Sequence, residues 1–114
     1  MLTQPEQQPQ PQIQFKEILK QANDLAIKHN SQLYFIYLPH YFRYEFNYDN
    51  SYNSSHLSVK NIVDELNIPF IDIHKEVFEK ETNPLKLFPF KFSAHLNVEG
   101  YRKVTEAIYK FISK

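Results

Sequence analysis

"LYFIYL", Leu33 to Leu38, is the stretch that decides how this chain folds. Apolar side chains fall on both of its faces, with no polar alternation. Such a strand is predicted inside a parallel sheet covered by helices. Pro39 ends it. A second short run, "IPFIDI" from Ile68 to Ile73, has the same character. Pro69 is tolerable there because it stands near the start of the strand. Between the two runs, Val59, Ile62, Val63 and Leu66 recur at helical spacing, and Ser58 is suited to cap that helix. Two buried strands joined by a helical crossover are predicted to be parallel, with a right-handed connection.

Working outward, a helix is expected near 15–29, with Ile18, Leu19, Ala22, Leu25 and Ala26 on its apolar face and Asn30 as its stop. A short helix near 74–80 follows the second strand, with Asp72 as its cap. The last helix is expected over 98–113, with Val98, Tyr101, Val104, Ile108 and Ile112 along one face. Asn97 is its expected N-cap. Glu99 in its first turn and Lys110 and Lys114 near its end suit the helix dipole. Long loops fill His40 to His56 and Glu81 to His95. Residues 1–12, mostly Gln and Pro, read as a disordered leader, because they have nothing to bury against the entropy of ordering. Residues 13–114 then form one partial α/β domain.

The domain is partial because two parallel strands do not make a stable sheet. An exposed edge flanked by apolar side chains calls for a neighbour. The one candidate for a third strand is "FRYEFNY", Phe42 to Tyr48, where aromatic and polar residues alternate. Otherwise the neighbour comes from another chain, or from a second copy paired through the sheet edge.

Composition narrows the function. The 114 residues carry 13 basic and 13 acidic side chains, and no basic tract points to nucleic acid or an anionic membrane. No apolar run is long enough to span a bilayer. The N-terminus lacks the pattern of a secretory signal, so the default expectation is a cytoplasmic protein. Without cysteine there is no thiolate chemistry and no cysteine metal site. The five histidines, His29, His40, His56, His74 and His95, show no metal spacing, so no metal is expected. With one glycine, no phosphate-binding loop can form and no nucleotide cofactor is expected. Tyr41, Phe42, Tyr44, Phe46, Tyr48 and Tyr52 crowd one loop. They suit a cleft lining, but covering the core or the sheet edge is the more economical role.

Sites in α/β sheets lie beyond the carboxyl ends of the strands. The loop before the last helix returns to that rim, which puts His95 there as a possible general base. Asp72 and His74 stand at the same end, with Asp72 read first as a cap. None of the serines sits in a glycine-flanked elbow.

The runs "LYFIYLP", "ELNIPFIDIHKEVFEK" and above all "LFPFKFSAHLNVEGYRKVTEAI" resemble the C-terminal part of SGNH/GDSL-type hydrolases. The resemblance covers roughly Phe15 to Lys114. It implies the C-terminal portion of a flavodoxin-like, three-layer α/β/α fold. It also implies that His95 is the catalytic base, followed by Asn97 and the Gly100–Tyr101 pair. Gly100 then lets the last helix pack closely beside the histidine loop. The reaction implied is ester hydrolysis or acyl transfer through an acyl-serine. Three features depart from that pattern. The Gly-Asp-Ser nucleophile block is absent, the oxyanion-hole blocks are absent, and Phe92 stands where many members carry the aspartate that orients the histidine. A base without a nucleophile or oxyanion hole has little to act on. The expectation is therefore a fragment inactive alone, its serine-bearing half lost or supplied as a separate chain. The alternative is a non-catalytic module that pairs through its sheet edge.

Overall fold

The computed structural model describes residues 11–45, 51–89 and 95–114. Among these residues four α-helices and two strands follow in the order α1 (Pro11–Lys28), β1 (Phe35–Tyr37), α2 (Ser51–Glu65), β2 (Phe70–Asp72), α3 (Ile73–Glu76) and α4 (Val98–Ile112). Short 3-10 turns occupy Tyr41–Tyr44, Phe78–Lys80 and Pro84–Leu87. The strands pair in parallel, with Phe35 opposite Phe70, Ile36 opposite Ile71 and Tyr37 opposite Asp72. The arrangement is a helix-rich mixed α/β one built on a small two-stranded sheet.

Helices lie against both faces of the pair. On one face Phe15 of α1 meets the Phe35 ring edge-on at 5.8 Å, and Phe35 stacks on Phe70 at 5.7 Å. Helices α1 and α2 are tied side by side, where Lys16 Nζ reaches Glu65 Oε1 at 3.0 Å and Asn23 Nδ2 donates to the Leu66 carbonyl. On the other face sits the core of Tyr41, Ile71, Ile73, Val77, Phe78, Leu87, Phe88, Leu96 and Val104. Each buried aliphatic or aromatic side chain here contributes about 1.5–3 kcal/mol relative to exposure. Phe88 anchors this side, meeting Tyr41 edge-on at 5.3 Å and stacking on Phe78 at 5.6 Å. The Glu81 carboxylate accepts from Lys103 of α4 and pairs with Lys86, which clamps the last helix to the segment before it.

Both long helices before a strand end in the same way. Asn30 and Asn67 take positive φ of 57° and 59°. After α1, Ser31 N–H bonds back to the Ala26 carbonyl and Asn30 N–H to Ile27; after α2, Ile68 N–H bonds to Val63 and Asn67 N–H to Asp64. This pair of bonds recovers carbonyls that a helix end leaves orphaned, and asparagine is the side chain that tolerates the left-handed turn best after glycine.

Several expectations shift. Strands read over 33–38 and 68–73 shrink to three residues each. β1 is not covered on both sides by the described residues: Ile36 remains 40% exposed and Leu38 53%. Helix α2 begins at Ser51, not Ser58, so His56 sits on its second turn rather than in a loop. Ser51, Tyr52, Asn53, Ser54 and Ser55 supply no apolar periodicity to announce that start. Helix α1 begins at Pro11, a residue whose fixed φ and missing N–H suit a first helical turn. The third-strand reading of Phe42 to Tyr48 fails over Phe42–Tyr44, which lies in a 3-10 turn, and 46–48 fall outside the described residues. Within 74–80 a short helix gives way to a 3-10 turn. On α1, Ile18 and Leu25 face outward, while Phe15, Leu19, Ala22 and Ala26 are partly covered. On α4, Val98, Tyr101 and Ile112 face outward and Gly100, Val104, Ala107, Ile108 and Phe111 face the core. The leader through Gln10 lies outside the described residues.

Candidate functional site

The carboxyl ends of the strands carry Tyr37 and Asp72, paired in register. Around them the fold assembles one polar cluster. Helix α2 brings Asn53 and His56, a turn apart on one face. The 3-10 turn after β1 brings Arg43 and Tyr44, and α3 brings His74.

Asp72 serves two groups at once. Its Oδ1 accepts from Lys75 N–H at 3.1 Å and caps α3, as the sequence suggests. Its Oδ2 stands 2.7 Å from His56 Nε2. The other ring nitrogen of His56, Nδ1, lies 3.1 Å from Arg43 Nη1. A guanidinium only donates. Nδ1 therefore accepts, and the proton of neutral His56 sits on Nε2 and points to Asp72. The His56 ring lies flat against Tyr37, with centroids 4.1 Å apart and planes within 8°.

Arg43 is the buried charge at the centre, only 2% exposed. Besides His56 it donates to Tyr37 Oη at 3.2 Å and, through Nη2, to Asn53 Oδ1 at 3.0 Å. Its Nε has no hydrogen-bond partner among the described residues. No carboxylate touches the guanidinium among the described residues; the nearest compensation, Asp72, is one imidazole away. Burying a cation without a direct counter-ion is costly, so the three neutral acceptors and the relayed carboxylate must all be in place.

His74 completes the group. Its Nδ1 lies 2.7 Å from Tyr44 Oη and its Nε2 3.5 Å from Glu79 Oε2. Burial, reinforced by the Arg43 charge, holds the His74 imidazole below the usual histidine range. Burial also pushes the Tyr44 phenol far above its ordinary range, and the Tyr37 phenol upward against the opposing pull of Arg43. The His56 and His74 rings meet edge-on at 5.6 Å. Sequence spacing leaves these two histidines scattered; the parallel crossover brings them together. Among the described residues no group of three side chains is arranged to hold a metal ion.

His95 stands apart. It is exposed, and among the described residues no hydrogen bond, ion pair or ring contact engages it. The backbone beside it is fixed. Asn97 N–H bonds to the Leu87 carbonyl at 2.8 Å, Asn97 Nδ2 donates to the Lys86 carbonyl at 2.7 Å, and Asn97 Oδ1 caps α4 by accepting from Gly100 N–H at 2.8 Å. A Cβ on Gly100 would stand 2.7 Å from the Leu87 carbonyl oxygen and 3.0 Å from Leu96 Cβ. The only glycine of the sequence is thus where α4 presses against the histidine loop. Phe92 lies outside the described residues. Tyr41 and Tyr44 cover the core, the more economical of the two roles open to the aromatic loop.

Chemically, His95 is exposed, and no group among the described residues orients it. His56 has an orienting carboxylate but no free nitrogen while Arg43 is in place. Asp72 and His74 do not pair with each other. Arg43 carries no signal in the sequence, since a lone arginine among tyrosines reads as surface. His56 is more legible: a histidine one helical turn after Asn53, facing a strand-end aspartate, follows once α2 is started at Ser51. A separate groove of about 500 Å³ runs between α4 and the segment after α3, lined by Glu76, Lys80, Glu81, Lys103, Lys110 and Phe111. It includes none of the histidines. No helix among the described residues is long and apolar enough to cross a membrane.

No protein-family model, curated protein or solved structure matches the chain.

Proposed function

We propose that this chain is the carboxyl-terminal part of an SGNH-type serine ester hydrolase or acyltransferase, with His95 as its base. In this reading the small sheet is the end of a larger flavodoxin-like, three-layer sheet. The observation that carries the reading is the seating of His95: an exposed, unengaged imidazole two residues ahead of the capping Asn97, on a loop pressed against α4 at Gly100. Such a nitrogen can accept a proton from a hydroxyl brought to it by another segment. The serine and the oxyanion donors come from outside these residues, so the chain alone lacks the groups that would form and stabilise an acyl intermediate.

The reading is tested by hydrolysis of a short-chain aryl ester, run on the chain and on His95→Ala in parallel. The expected outcome is the same negligible rate for both. Turnover by the chain that His95→Ala abolishes would mean that a nucleophile resides within it, against the fragment reading.

One observation favours a second reading, a non-catalytic module pairing through the sheet. Ile36 on β1, with Tyr34 and Leu38 just before and after the strand, leaves an apolar row exposed at an edge strand among the described residues. A stable homodimer held through that edge, abolished by Ile36→Lys, would support it.

A further inference from the structure

The consecutive residues Arg43 and Tyr44 each end on a histidine. Arg43 donates to His56 Nδ1 at 3.1 Å, and Tyr44 Oη lies 2.7 Å from His74 Nδ1. Both contacts tie the Tyr41–Tyr44 turn across the carboxyl ends of β1 and β2. The two contacts differ in one chemical respect. A tyrosine hydroxyl can donate or accept, so the Tyr44–His74 bond survives a proton on His74 by reversing its direction. A guanidinium cannot accept. A proton on His56 Nδ1 therefore does not reverse the Arg43 contact but replaces it with two donors, both cationic, in a site where Arg43 is 2% exposed.

We propose that the Arg43 side chain is a proton-sensitive latch: it is held over the strand ends by neutral His56 and released when His56 takes a second proton, while Tyr41 stays in the core. The inference involves neither His95 nor an ester and is independent of the hydrolase reading.

The charges facing the cluster set the direction. With both histidines neutral, the Arg43 cation is balanced by the Asp72 carboxylate, with Glu79 at the rim. Tyr37 and Tyr44 stay neutral phenols. Glu45 is engaged elsewhere, by the Tyr41 hydroxyl at 3.2 Å. A proton on His56 is attracted by Asp72 at 2.7 Å and opposed by Arg43 at 3.1 Å. Both demands are met only if Arg43 leaves, and the imidazolium then keeps Asp72 as partner. His74 acts in the same sense. Burial and the Arg43 charge disfavour its protonated form in the closed state, so the open state takes up a proton first as the pH falls. Its contribution to the closed form is complete above its ordinary value near 6.5 and is lost on acidification below it. Release would uncover the Tyr37–Asp72 end of the sheet, the rim at which α/β sites are built.

The test follows the Arg43 Nε–H resonance of the full chain by NMR from about pH 8 to about pH 5, the span over which histidines change charge. Nε–H is buried and, among the described residues, unpartnered in the closed state. It is expected to exchange slowly at the upper end and to vanish into solvent exchange as the pH falls. The loss should track the His56 Hε1 titration in the same sample, while the amide signals of Val63, Ile71 and Val104 persist. In His56→Gln, which cannot be protonated there, the Arg43 signal should last to the acid end; in His74→Gln the loss should remain. Three results would overturn the latch: loss of the signal in His56→Gln at the wild-type pH, a signal that survives complete titration of His56, or collapse of the core amides together with it. Should His56→Gln fail to fold, the coincidence of the two wild-type curves decides.

Discussion

Gly100 shows how much a single residue can disclose through its sequence neighbours alone. A lone glycine just past a histidine, on the first turn of a helix, implies a close approach, and the Leu87 carbonyl is what it approaches. Gly100→Ala improves helix propensity by about 1 kcal/mol. It also puts a methyl 2.7 Å from a backbone oxygen held by Asn97 N–H. Backbone cannot step aside as a side chain can, so crowding of about 1–3 kcal/mol wins. The expected result is a lower urea midpoint for Gly100→Ala; an equal or higher midpoint would show that the loop is not pressed against α4. Asn97 and Asp72 are equally readable, because a cap is a local device with a local signature. Arg43 is not. Its role depends on Tyr37, Asn53 and His56, which meet it only through the crossover, and nothing within a few residues of Arg43 announces burial.

At the scale of elements, the order of helices and strands and the parallel pairing follow from apolar runs and spacing. The faces and starts do not. Ile18 and Leu25 on α1, and Val98 and Tyr101 on α4, obey helical spacing yet face outward, because a wide apolar stripe exceeds what a two-stranded sheet can cover. α2 starts earlier than its apolar residues do. The helix ends are better marked: Asn30 and Asn67 close α1 and α2 with positive φ. An alanine there pays the left-handed penalty of about 1–2 kcal/mol, while glycine does not. Asn67→Ala is therefore expected to lower the urea midpoint and Asn67→Gly to hold or raise it. Equal effects of the two substitutions would mean that the backbone turn is not what the asparagine supplies.

For the whole molecule, the central fact is a small parallel sheet with apolar residues left uncovered. β1 and β2 pair over three residues each, and Ile36, on the edge strand, is 40% exposed beside an Ile71 that is fully buried. Half a layer is finished and half invites a neighbour. The proposal of a domain completed from outside these residues rests on that geometry and on the seating of His95. The direct measurement is ester hydrolysis by a chimera. The chain is fused behind the serine-bearing part of an SGNH-type hydrolase whose own base-bearing segment has been removed. A folded chimera should hydrolyse a short-chain aryl ester, and His95→Ala should cut the rate by about 10²–10⁴-fold, the contribution of a positioned general base. A folded chimera whose rate is unchanged by His95→Ala would contradict the account.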